Sequence, residues 1–146
     1  MHHVSIRTAN IHRAIAFYSL LGFEMETQFT AGITLACWMT GLQGRIELLQ
    51  IPEPHATPDC FHDEHYTGYY HLSFDLTETV DNLPNWLESL ATRFADAHHQ
   101  APEKVALLKV LLPPQQQMIG RQVYEVAFIA DSDGLPLEFL RMMNHE

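Results

Sequence analysis

HVSI at residues 3–6 returns as HLSF at residues 71–74, and both words read His, aliphatic, Ser, large apolar. A second pair of words closes each half of the chain: IELL at residues 46–49 and LEFL at residues 137–140. Each half therefore begins with a four-residue motif that contains a histidine (the histidine word) and ends with one that contains a glutamate (the glutamate word). Because two word pairs recur in the same order, the chain is predicted to contain a duplicated structural module.

The first half predicts one βαβββ unit. Asn10 can cap a helix whose apolar positions recur at helical spacing, and Gly22 can end it. Alternating and β-branched residues predict strands on either side of this helix. The predicted strands cover residues 2–8, 24–30, 33–39 and 44–51.

The second half predicts the same order of elements. Thr79 or Asp81 can cap the next helix, and Pro84 is acceptable in its first turn. The sequence DSDG at residues 131–134 is typical of a hairpin turn. The predicted strands cover residues 69–76, 105–112, 122–130 and 136–141.

The domain organisation follows from these two units. We predict a single α+β domain over residues 1–146, with a first βαβββ module over 1–51 and a second over 69–146. Residues 52–68, rich in proline and polar side chains, are predicted to form a linker.

Composition narrows the function classes. The chain has 146 residues, of which 47% are apolar, and 8 basic residues oppose 18 acidic ones for a net charge of −10. Such an excess repels nucleic acid and anionic membranes. No apolar run approaches the roughly 20 residues that span a bilayer, and the N-terminus lacks the pattern of a signal peptide. We expect a cytoplasmic protein that acts on a small molecule. Two cysteines, Cys37 and Cys60, are too few for a disulfide framework.

Glu47 and Glu138 lie inside apolar strands, where an ionised carboxylate is costly to bury without a partner. These side chains could simply face solvent from a sheet surface. The alternative is that they join the repeat-equivalent His3 and His71 around one divalent metal. His2 adjoins His3, but only one of two neighbouring strand residues can face a site. The repeat selects His3.

The chain resembles the vicinal oxygen chelate superfamily, which contains glyoxalase I, bleomycin-resistance proteins and extradiol dioxygenases. The motifs that carry this resemblance are HVSIRT and AIAFYSLLGFE at the start, RIELLQ, YYHLSFDL, and DSDGLPLEFL at the end. The resemblance implies two paired βαβββ modules that form a cupped, barrel-like sheet. It also implies one divalent transition metal per site (Ni, Zn, Fe, Mn or Co), held by His3, Glu47, His71 and Glu138.

Within the superfamily, two His and two Glu ligands resemble the glyoxalase I set. This implies a lyase or isomerase that acts on a hydroxy-carbonyl compound or thiol adduct, with Glu138 as the preferred base and Glu47 as a second. Arg7 matches an arginine that contacts the glutathione part of the substrate, whereas Ile51 replaces an asparagine of the glyoxalase I pattern. The resemblance further implies a homodimer whose sites are shared between chains.

Two other functions remain open. An extradiol-type Fe(II) dioxygenase typically uses two His and one carboxylate, so the second Glu disfavours it. A bleomycin-resistance-like binding protein would hold a small molecule between the modules without catalysis, and such relatives generally lack the metal ligands.

Overall fold

The computed structural model describes residues 1–143 and contains two βαβββ modules in an α+β architecture. No helix among these residues is long and apolar enough to cross a bilayer. The first module consists of β1 (Val4–Thr8), α1 (Ile11–Leu21), β2 (Glu24–Ala31), β3 (Thr34–Gly41) and β4 (Gly44–Gln50). The second consists of β5 (Leu72–Asp75), α2 (Leu83–Gln100), β6 (Lys109–Ile119), β7 (Gln122–Ala130) and β8 (Pro136–Met142).

Each module forms its own open four-stranded sheet, and the two sheets share one strand order. The orders are β1-β4-β3-β2 and β5-β8-β7-β6. The first and last strands of each module are parallel neighbours, so the histidine word lies beside the glutamate word. Ser5 is paired with Glu47 and Ser73 with Glu138. The repeat detected in the sequence is therefore a repeat of structure.

Helix α1 begins and ends where its capping residues predict. Asn10 has an extended backbone and its side chain accepts a hydrogen bond from the Arg13 N–H at 3.1 Å. Gly22 ends the helix at φ 125°, which a side chain rarely permits. The buried face of α1 contains Ile11, Ala14, Phe17, Tyr18 and Leu21.

The predicted cap of α2 is wrong. Asn82, rather than Thr79 or Asp81, has the extended backbone of an N-cap, and its side chain accepts from the Asn85 N–H at 2.8 Å. Thr79 instead donates its hydroxyl to the Leu76 carbonyl in the preceding turn. Pro84 lies in the first turn of the helix, as predicted.

Two strands of the second module differ from their predicted bounds. Strand β6 was expected over 105–112 but runs from Lys109 to Ile119, across Pro113 and Pro114. Strand β6 lies at the edge of its sheet and its register with β7 shifts near the two prolines. It therefore tolerates proline, which has no backbone N–H to donate to a neighbouring strand. Strand β5, expected over 69–76, covers only Leu72–Asp75.

One apolar core joins the two modules on the helix side of the sheets. Phe17 of α1 contacts Phe94 of α2, with ring centroids 5.2 Å apart. The predicted hairpin turn at residues 131–134 also ties the modules together. Its Asp133 carboxylate accepts hydrogen bonds from the Thr8 hydroxyl at 2.6 Å and the Ala9 N–H at 3.0 Å.

Candidate metal site

Strand alternation sends both glutamates away from the core, to the face of each sheet opposite the helices, which we call the open face. On β4, Ile46 and Leu48 are buried in the core, whereas the side chain of Glu47 between them is 15% exposed. On β8, Glu138 likewise lies between buried neighbours and is 17% exposed. Both carboxylates are thus shielded by protein but reachable from solvent.

The first half-site consists of His3, Ser5, Trp38 and Glu47. The Ser5 hydroxyl donates to one carboxylate oxygen of Glu47 at 2.8 Å, and the Trp38 indole N–H donates to the other at 2.9 Å. The Nε2 atom of His3 lies 3.6 Å from the oxygen that Trp38 contacts. Three strands and the segment before β1 therefore converge on one carboxylate.

The second half-site repeats this arrangement with His71, Ser73, Phe128 and Glu138. The Ser73 hydroxyl donates to Glu138 Oε1 at 2.7 Å, and His71 Nε2 lies 3.3 Å from the same oxygen. Phe128 is paired with Glu138 across the sheet, as Trp38 is paired with Glu47. The two half-sites are structural equivalents.

The His–Glu spacing falls in the ligand range in the second half-site and slightly above it in the first. The nitrogen–oxygen distances of 3.6 and 3.3 Å exceed the usual hydrogen-bond range of about 2.7–3.2 Å. Two ligands that each lie about 2.1 Å from one ion, at right or tetrahedral angles, are roughly 3.0–3.4 Å apart. An imidazole nitrogen beside a carboxylate oxygen is also a donor set that first-row transition metals accept.

The four predicted ligands come together as two pairs rather than as one quartet. Within residues 1–143, no three His, Cys, Asp or Glu side chains are close enough to hold one metal ion. Each half-site alone supplies one nitrogen and one carboxylate. A four-ligand site therefore requires the two kinds of half-site to meet.

The two carboxylates differ in how firmly they are held. The Trp38 hydrogen bond lowers the pKa of Glu47, against the opposing effect of burial, and the Ser5 hydroxyl adds to the lowering. Glu138 has the Ser73 hydroxyl but faces a phenyl ring where Glu47 faces an indole. The second half-site also contains a buried polar atom without a partner. His71 Nδ1 has no hydrogen-bond partner in the described part of the chain.

His2 lies at the first half-site together with His3, contrary to the expectation that only one of them could face it. Strand β1 begins at Val4, so alternation does not govern these two residues. The His2 ring packs on Trp38 with centroids 4.9 Å apart, and its Nδ1 lies 2.7 Å from His3 Nδ1. No repeat word marked His2 or Trp38, whereas Ser5 and Ser73 stand inside the repeated words and could have been recognised there.

Arg7 is exposed on β1 and lines a cleft of about 650 Å³ between the modules. Ser5, Tyr70 and His71 line the same cleft. The segment between β4 and β5 covers part of the second open face, since its residues Phe61 and Tyr70 both contact Phe128. Burial, followed by the nearby charge of Glu138, raises the pKa of Tyr70. Arg7 thus shares its cleft with one of the predicted ligands.

Comparison with known families identifies the fold. The family model described as glyoxalase/bleomycin resistance protein/dioxygenase superfamily matches residues 2–106. The chain belongs to this superfamily. A search of curated proteins finds no match.

Solved structures of the superfamily share the fold along the whole chain. A glyoxalase family protein from Enterococcus faecalis has a TM-score of 0.67 at 20% identity, covering 97% of this chain and 96% of its own. A glyoxylase/bleomycin resistance protein/dioxygenase domain from Frankia reaches 0.69 at 18% identity, covering 98% and 97%. A glyoxalase I variant from Zea mays reaches 0.65 at 16% identity, covering 99% of this chain but 45% of its own.

Proposed function

We propose that this superfamily member is a divalent-metal-dependent enzyme of the glyoxalase I type, acting on a small hydroxy-carbonyl compound or thiol adduct. The observation that carries the proposal is the duplicated His–Ser–Glu set on the two open faces, in which an imidazole nitrogen lies 3.6 or 3.3 Å from a carboxylate oxygen. Both copies place a polar cluster on the open face of a sheet, where a carboxylate without a hydrogen-bond or metal partner would be costly to shield from solvent.

His3, Glu47, His71 and Glu138 would hold the metal. When bound, a divalent transition metal supplies Lewis-acid polarisation of substrate oxygens. Glu138 is assigned the transfer of a proton between adjacent substrate carbons, because its carboxylate has fewer hydrogen-bond donors to release than Glu47 has. Glu47 would help to hold the metal and is the second candidate base.

The site is proposed to form between two copies of the chain in a homodimer. The first half-site of one copy would face the second half-site of its partner, and a twofold axis would create two equal sites. This assignment is supported by the fact that each half-site supplies only two of four ligands within residues 1–143.

Arg7 is assigned to substrate binding, because its guanidinium borders the cleft that His71 lines. A cation there suits a substrate with a carboxylate, and glutathione is one such thiol. Ile51 replaces the polar residue of the glyoxalase I pattern with an apolar one. The proposed substrate is therefore an adduct of a thiol, and glutathione is one such thiol.

The test is turnover by protein loaded with Ni²⁺, Zn²⁺ or Co²⁺, using methylglyoxal premixed with glutathione or with other thiols. We expect thioester formation, and we expect Glu138→Gln to lower kcat by roughly 10²–10⁴-fold as a lost general base. Glu88→Gln, on the exposed face of α2, is the matched control and should leave the rate unchanged. Absence of turnover with every thiol adduct would reject the proposal, and oxygen uptake with catechols under Fe²⁺ would replace it with a dioxygenase.

A further inference from the structure

We propose that His2 and Trp38 form an outer layer that fixes His3 and Glu47 in the orientation in which these two residues would hold the metal. This inference rests on the proposed function, since it concerns the same site. It assigns positioning roles to two residues that lie outside the four-ligand set.

His2 is placed to set the proton position on His3. Their Nδ1 atoms are 2.7 Å apart, so one of the two nitrogens carries a proton and the other accepts it. When His3 is the donor, its Nε2 keeps a free lone pair on the side that faces Glu47. Metal-ligating histidines generally donate their second ring nitrogen in this way, which fixes the ring and strengthens the ligand.

Trp38 is placed to set the orientation of Glu47. Its indole N–H occupies one carboxylate oxygen at 2.9 Å while the Ser5 hydroxyl occupies the other at 2.8 Å. The indole is itself held between the rings of His2 and Phe29, at centroid distances of 4.9 and 5.3 Å. The carboxylate therefore has little freedom to rotate.

The second half-site lacks both of these contacts. Tyr70 precedes His71 as His2 precedes His3, but it meets the imidazole edge to face at 4.4 Å and leaves Nδ1 buried without a partner among residues 1–143. Phe128 stands opposite Glu138 as Trp38 stands opposite Glu47, and a phenyl ring has no N–H to donate. Equivalent positions thus carry polar contacts in one half-site and apolar contacts in the other.

Unequal support gives the two carboxylates different tasks. A carboxylate that transfers a proton would have to rotate, whereas the other three side chains would have to stay fixed to hold the ion. Among the hydroxyl and indole donors of the two half-sites, only Ser73 donates to Glu138. Glu138 is therefore free to rotate and transfer a proton. The outer layer of His2 and Trp38 keeps His3 and Glu47 fixed.

The experiment measures Co²⁺ affinity by chelator competition, together with the visible spectrum of the bound ion, on full-length protein. Trp38→Phe removes only the indole N–H contact, and His2→Phe keeps a ring but removes the acceptor. Each is expected to raise the Kd for Co²⁺ about 10–100-fold and to alter the spectrum. His2→Gln, whose amide oxygen can accept from His3, should restore most of the affinity. Tyr70→Phe, the matched change in the second half-site, should leave the Kd unchanged.

The outcomes separate this inference from the proposed function. If wild type and His3→Ala bind Co²⁺ equally, or neither binds it, the metal site and this inference are both rejected. If His3→Ala loses binding but His2→Phe and Trp38→Phe retain the wild-type Kd, only the outer layer is rejected. His2 is exposed, so the comparison of His2→Phe with His2→Gln decides the matter even if Trp38→Phe fails to fold.

Discussion

At the scale of single residues, a buried carboxylate lies at the junction of the modules. Asp131 accepts hydrogen bonds from the Tyr18 hydroxyl at 2.7 Å and from the backbone N–H groups of Asp133 and Leu135 at 2.9 Å. Burial raises the pKa of Asp131 in spite of these donors. Burial and then the charge of Asp131 raise the pKa of Tyr18. We therefore expect the stability of this junction to depend on pH.

Asp131→Asn should change how stability depends on pH. Because the folded-state pKa of Asp131 lies above the ordinary value of 3.8, the folded protein binds this proton more tightly than the unfolded chain does. The resulting stabilisation is complete below pH 3.8 and is lost as the pH rises through the folded-state pKa. The unfolding free energy of wild type minus that of the variant should thus fall over this window. Urea unfolding from about pH 3 to about pH 7 measures it; a flat or rising difference would contradict the raised pKa.

The sequence by itself indicated metal-site residues only where they were repeated, whereas Arg7 was indicated by the family resemblance. His3, Glu47, His71 and Glu138 stand in words that occur twice, and the structure brings them together as two pairs. The role of Trp38 depends on which residue of β4 lies opposite it, and hairpin pairing determines that. The sequence alone does not specify which residue of β4 pairs with Trp38. The equivalent position in the second half is Phe128, so the repeat did not indicate Trp38 either.

At the scale of elements, the N-terminus of α2 depends on Asn82. Asn82→Ala removes the side-chain oxygen that accepts from the Asn85 N–H and should lower the unfolding free energy by about 1 kcal/mol. Asp81→Ala, one residue earlier, is the control and should stay within about 0.5 kcal/mol of wild type. Chemical denaturation compares them. Equal losses from both variants would show that the cap had been assigned to the wrong residue.

The β3–β4 hairpin packs against the end of α1 so closely that Gly41 has no room for a side chain. A Cβ there would lie 2.6 Å from the Gly22 carbonyl oxygen and 2.8 Å from the Phe23 Cα. Since backbone must move, Gly41→Ala should destabilise the protein by about 1–3 kcal/mol. In Gly44→Ala, at the other end of the turn, the nearest atom to the Cβ would be 3.9 Å away. Unfolding curves that coincide for the two variants would contradict this packing.

Elements with strong local signals were predictable, and those shaped by neighbours were not. Asn10 and Gly22 define α1 through their own backbone preferences. Strand β6 continues through Pro113 and Pro114 because it lies at a sheet edge, and that position is a property of the assembled sheet. The cap of α2 was predicted at Thr79 or Asp81 because these side chains can accept the same hydrogen bond as Asn82, the cap in the structure.

At the scale of the whole molecule, two equivalent half-sites belong to modules joined by a common core and by the turn at residues 131–134. The order of the repeated motifs predicted a duplicated module, the helix and strand signals predicted its βαβββ order, and the family resemblance implied that the modules pair. These signals were not enough to predict which surfaces meet, because a linker of this length allows pairing within a chain or between chains. Ser5 and His71 line one cleft, yet no three ligands gather within residues 1–143. A four-ligand metal site therefore has to be completed by a second half-site.

Subunit exchange between two inactive variants tests whether each metal site is shared between two chains. His3→Ala damages the first half-site and His71→Ala damages the second, so neither homodimer should turn over substrate. If sites are shared between chains, each heterodimer combines both lesions in one site and leaves the other intact. Mixing the metal-loaded variants under exchange conditions should then restore up to half of the wild-type activity per heterodimer. Mixtures that stay inactive although heterodimers have formed, or a chain that sediments only as a monomer, would contradict the shared site.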